Sequence, residues 1–209
     1  MANTNQPFGF MPIGSLIGAQ WSGKSNMYYI PAADTTQMSI GDPVKIAAYN
    51  GTTVISGDAN GVPQCVKAAG TDTMRGVIVG FLLANPTNIN LQGTVLDNTI
   101  VNIPATKTRD YYALVADDPN TLYVVQGDST ATNQIVNSCN LNASFTVALP
   151  TLPAMRSQSV LTSSSFLASN TLNWRIMGLY QDANNGFGAY ARWVVRMNLH
   201  DSAAGTVGA

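Results

Sequence analysis

Apolar and polar residues alternate along much of this chain, and the period is that of strands. In the stretch 191–200, Trp193, Val195, Met197 and Leu199 fall on one side, and Arg192, Val194, Arg196 and Asn198 on the other. Side chains two apart share a face of a pleated strand, so this pattern predicts a half-buried one. Residues 171–180 and 140–147 alternate in the same way. Gly76–Leu83 is instead an unbroken apolar run bounded by glycine and Pro86, as expected for a buried strand. Tyr111–Ala116 and Thr121–Gln126 are rich in strand formers. Between them, Asp117-Asp118-Pro119-Asn120 has turn-forming side chains and a proline that fixes φ. The two runs read as a hairpin.

Weaker signals fill the rest. Residues 27–30 form a short strand ended by Pro31, and Gly41-Asp42-Pro43 is a turn entering a strand at 44–49. Asn50-Gly51 predicts a hairpin turn to 52–55. A short strand is expected at 64–67 and a strand pair within 94–104, while 151–165 reads as an exposed loop. No amphipathic helix exceeds two turns. Many short strands with frequent turn signals predict an all-β fold, a compact β-sandwich or β-barrel (jelly-roll-like).

The first 27 residues break this pattern. Pro7, Gly9, Pro12, Gly14, Gly18 and Gly23 recur too often for a long strand, yet Phe8, Phe10, Met11, Ile13, Leu16, Ile17 and Trp21 are apolar. An apolar, turn-rich segment predicts an extended N-terminal arm lying over its own domain or a neighbouring subunit. The expected organisation is an arm over 1–27 and one β-rich domain over 28–209, with 85–110 a candidate insertion.

Composition adds one fact. Charged residues make up 10 % of the chain, against about 25 % in typical proteins. The polar load rests on Asn, Thr, Ser, Gln and Gly, and every acidic residue is an aspartate. With 45 % hydrophobic residues the chain has ample material for a core. A surface poor in Lys and Glu suits a protein packed against neighbours, since interface cores are depleted in both. It equally suits a neutral extracellular β-protein. Net charge is −1 and the basic residues are scattered, so neither nucleic acid nor an acidic membrane is an expected partner. Cys65 and Cys139 are expected as free, buried thiols. No leader or spanning segment is expected, which predicts a soluble protein made in a cytoplasm.

Candidate chemistry is sparse. His200 beside Asp201 hints at a general base, but neighbours on a strand point to opposite faces. Residues 18–25 formally match a phosphate-binding loop, but that loop must open a helix, and strand formers and Pro31 follow it. Gly57-Asp58-Ala59-Asn60-Gly61 and Asp117-Asp118 with Asn120 offer hard oxygen ligands without the carboxylate count of an EF-hand. The expectation is no enzyme, with no catalytic residue, cofactor or metal site. Trp174, Trp193 and Tyr180 leave open a carbohydrate-binding β-sandwich.

Several segments, in order, resemble a family of small virion proteins of tailed bacteriophages encoded beside the major capsid protein. They are residues 5–12 (Asn-Gln-Pro-Phe-Gly-Phe-Met-Pro), 28–32 (Tyr-Tyr-Ile-Pro-Ala), Gly41-Asp42-Pro43-Val44, 76–80 (Gly-Val-Ile-Val-Gly), 112–126 and 192–200. The resemblance implies a head decoration, or cement, protein that binds the outside of the capsid shell and bridges capsomers. It implies the major capsid protein and copies of itself as partners, a homotrimer at three-fold sites or a homodimer at two-fold sites. A tail or neck component is the alternative within the virion. On this reading Phe8, Phe10, Met11, Ile13 and Trp21 are the expected arm anchors, because a few buried apolar side chains dominate interface energy.

Overall fold

The computed structural model describes residues 3–47, 56–83, 95–96, 100–150 and 155–203. Among them are fourteen strands, no α-helix and one short 3-10 turn at Val136–Ser138. The fold is all-β, with sheets packed in a sandwich-like arrangement.

The first sheet has six strands in the order β1 (Met11–Ser15), β10 (Thr121–Gln126), β14 (Arg192–Met197), β13 (Trp174–Leu179), β11 (Asn142–Thr146), β12 (Val160–Leu167). A parallel bridge from Gly127 to Leu161 brings β12 back against the end of β10, so the sheet curls towards closure. The second sheet runs β2 (Asn26–Ile30), β9 (Tyr111–Ala116), β6 (Gly76–Leu83), β4 (Pro43–Ile46), β5 (Cys65–Lys67). It curls likewise, through a bridge from Tyr29 to Gln64. β3 (Met38–Ser39) pairs with β8 (Asn102–Ile103), and β7 (Val95–Leu96) extends β6.

Two cores follow from this geometry. Tyr123, Val125, Trp174, Ile176, Trp193 and Val195 fill the inner face of the first sheet. That core continues into Ala68, Met74, Val77 and Ala116 of the second sheet region, and this continuity joins the sheets. Ile30, Val44, Cys65, Ile78, Phe81 and Val115 form the second core, closed by Met38 and Ile103 of the short ribbon. β6 is buried on both faces because Val77 and Ile78 serve different cores. Gly76 lets β6 approach β9: a Cβ there would lie 2.5 Å from the Ala116 carbonyl oxygen.

Four expectations change. Tyr111–Ala116 and Thr121–Gln126 are strands, but they belong to different sheets, so the acidic turn between them is a corner and not a hairpin turn. Residues 151–165 were expected as a loop, yet β12 starts at Val160. Within 94–104 the two strands do not pair with each other: β7 joins β6 and β8 joins β3. The segment 1–27 contributes β1 to the first sheet, paired with β10. The Asn50-Gly51 hairpin and 85–94 of the candidate insertion lie outside the described residues.

Candidate binding surface

The N-terminal segment lies over its own domain and is tied to it by polar side chains. Asn3 Nδ2 donates to the carbonyls of Gly186 (2.8 Å) and Ala189 (2.9 Å), and its Oδ1 accepts the Gly186 N–H at 2.9 Å. Gln126 accepts the Gln6 N–H and donates to Asn5 Oδ1. The segment then crosses the turn before β4, where Phe10 N donates to the Gly41 carbonyl at 2.9 Å. Gly9 and Gly41 both hold positive φ at this crossing, and a Cβ on Gly9 would sit 2.7 Å from the Gly41 carbonyl oxygen.

The five expected anchors separate into two groups. Phe10 is fully buried, stacked on Trp174 at 4.1 Å and 12° and meeting Phe145 edge-on at 5.7 Å. It is a core residue of its own chain and offers nothing to a partner. Sequence reasoning missed this because Gly9 and Pro12 hide the one position that turns inward. Phe8, Ile13 and Trp21 are half-buried, and Met11 is 43 % exposed. Phe8, Met11 and Trp21 line one cleft of ≈ 310 Å³ with Ile40, Val79 and Arg156.

Among the described residues, the most exposed large apolar side chain beyond them is Ile17, at 85 %, beside Leu16 at 43 %. Both sit at the tip of the turn that follows β1. The tip is held firmly: Ser15 N donates to Ala19 O, Gly18 N to Ser15 O, and Leu16 N to Asn120 O. Trp21 N closes the hairpin on Ile13 O. Residues 18–25 are a bend, a bridge from Gln20 to Gly14 and irregular chain that leads into β2, not a helix, which removes the phosphate-loop reading.

The corner at 117–120 is a structural joint. Asp117 accepts hydrogen bonds from Asn26 Nδ2 (2.9 Å) and Tyr28 Oη (2.7 Å) on β2. Its carbonyl lies 3.0 Å from His200 Nε2, which must be the donor there, while His200 Nδ1 accepts the Ser202 N–H at 3.0 Å. His200 is buried, and the contacts of its two ring nitrogens brace the end of β14. Asp201 pairs with Arg75 through Oδ2 at 2.9 Å, and its Oδ1 lies 3.4 Å from His200 Nδ1, so the two neighbours do meet despite their places on the chain. Burial, reinforced by the Asp117 carboxylate, pushes the Tyr28 hydroxyl well above its usual range.

Asp58 behaves in the same way. Its Oδ1 accepts the N–H groups of Asn60 and Val62, and its Oδ2 accepts Tyr112 Oη at 2.6 Å. Burial alone would raise this carboxyl, but the bonds from Tyr112, Val62 and Asn60 outweigh it and hold it low. Its oxygens are thus used by its own turn. Among the described residues, no three His, Cys or Asp side chains converge as a metal site. Cys65 and Cys139 are free; Cys65 belongs to the second core, and Cys139 packs against the first. Trp174 and Trp193 are fully buried, so neither is available as a platform for sugar stacking. No described helix is long and apolar enough to cross a membrane. Compared with protein-family models, curated proteins and solved structures, the chain matches none of them.

Proposed function

We propose that this chain is a virion structural protein, a decoration protein that binds the outer capsid surface and strengthens contacts between capsomers. The observation that carries the reading is the hairpin tip, where Ile17 and Leu16 stand exposed on a hydrogen-bonded turn. Two adjacent aliphatic side chains exposed on a hydrogen-bonded backbone turn suit insertion into a partner, because little backbone entropy remains to be lost on binding. The low charge of the chain fits a life packed against neighbours. Copies arrayed on a shell, as homotrimers at three-fold sites, would gain avidity from repetition beyond any single contact. The usable anchors are Met11, Leu16 and Ile17, with Phe8 and Trp21 behind them; Phe10 drops out.

The test uses particles lacking this chain. Wild-type protein should bind the shell at high copy number and appear over it in a cryo-electron reconstruction. Leu16→Ser/Ile17→Ser should keep the wild-type melting temperature and lose binding at least about a hundredfold, the scale of two buried aliphatic anchors. Density confined to the neck would replace the decoration reading with the neck one. No density on the particle would end both.

A further inference from the structure

Three clefts meet at the seam of the two sheets. One, ≈ 310 Å³, is walled by Phe8, Met11, Trp21, Ile40 and Val79. The second, ≈ 370 Å³, continues over Val124 and Tyr180. The third, ≈ 360 Å³, continues over Phe81, Ile100, Val101 and Leu114. They share walls: Phe8 and Met11 line the first two, and Trp21, Ile40 and Val79 line the first and third. The result is one elongated, mostly apolar groove.

Arg156 lines all three clefts and is exposed. It joins none of the ion pairs among the described residues. The other charged walls, Asp182 and Arg192, neutralise each other at 2.8 Å. Among the described residues, the groove therefore carries one cation without a paired acid, near its middle.

We infer that the groove is a docking site for an extended segment of a partner protein, with apolar side chains flanking an aspartate or glutamate that pairs with Arg156. A wholly apolar occupant would cover a guanidinium and leave it without a counter-charge, which is costly. A carboxylate removes that cost and matches the guanidinium with two parallel hydrogen bonds. A lysine in the occupant's central position would be repelled. The groove thus selects by charge at one point and by shape along its length. This inference rests on the reading of the chain as a binding protein but not on the virion as its setting.

The experiment is selection of a random dodecapeptide display library on the full chain, with Arg156→Gln as parallel bait. Arg156 is exposed, so the variant should melt with wild type. The expected result is enrichment of sequences with Asp or Glu between apolar residues, absent on Arg156→Gln. Capped synthetic copies should quench or shift the fluorescence of Trp21, the half-buried tryptophan of the groove wall. Their Asp→Asn forms should bind about tenfold more weakly, the weight of one charge-assisted pair. No enrichment over bait-free selection, enrichment without an acid, or equal binding to Arg156→Gln would overturn the inference. Enrichment as expected, with no binding to capsids, would overturn the virion setting alone.

Discussion

Phe10 shows how much one side chain can hold. Its ring lies flat on Trp174 and edge-on to Phe145, and the neighbouring Tyr123 meets the same indole edge-on at 5.4 Å. Phe10→Ala would leave a cavity that the surrounding rings cannot close, at a cost of about 3–5 kcal/mol. Urea unfolding should show that loss as a lower midpoint with an unchanged slope. Lys107 is a second such point. Its side chain is fully buried, and its ammonium donates to the carbonyls of Asp34 and Thr36 with the Asp34 carboxylate 3.7 Å away. Lys107→Met would keep the volume but strand those acceptors, so a loss of about 3 kcal/mol is expected in the same measurement.

Within the second sheet, β2 and β9 pair Tyr29 with Tyr112, ring centroids 5.8 Å apart. Burial pushes each hydroxyl up to about 12, from 10.0, aided by Asp110 at Tyr29 and by Asp58 at Tyr112. The unfolded chain gives up these protons near pH 10, before the folded one does, so the folded state is disfavoured as pH rises from about 10 to 12. Stability measured by urea titration should be flat up to about pH 9 and fall through that window. Tyr29→Phe/Tyr112→Phe should make the fall shallower, with Tyr28, Tyr123 and Cys65, also raised by burial, supplying the remainder; an unchanged slope would assign the whole fall to those groups.

The strands themselves were largely legible. β14 and β13 show their alternation openly, and the apolar run of β6 foretold burial on both faces. β12 was hidden because its inward position Ser163 is polar, satisfied by Asp128 through both its N–H and its hydroxyl. β1 was hidden by Pro12 and Gly14, the same two residues between which its register shifts against β10. The turn at 117–120 announced a change of direction, but local residues do not encode which sheet the next strand joins. The groove was illegible for a related reason: Arg156, Trp21 and Ile100 become neighbours only through the seam.

Across the whole molecule, the N-terminal segment divides near Phe10. Residues before it are tied by hydrogen bonds that Asn3 and Gln6 donate and that Asn3 and Asn5 accept, each worth about 0.5–1.5 kcal/mol. Deleting 1–7 removes five such bonds and should lower the melting temperature by about 5–30 °C, at about 2–4 °C per kcal/mol for a chain of this size, while the melt stays cooperative. Deleting 1–20 removes Phe10 and all of β1 and should abolish the cooperative melt, which differential scanning calorimetry will show.

The sheet orders also set a timetable for synthesis. The second sheet draws its five strands from residues 26–116, so its pairings are all available once that much chain has emerged. β1 is made first, yet its partner β10 begins only at Thr121, and β10 in turn waits for β14 at Arg192. During translation the apolar stretch from Phe8 to Ile17 is thus left without its strand partner for more than a hundred residues. Until β10 is made, that segment is unpaired apolar surface on the nascent chain, a natural point of engagement for a chaperone.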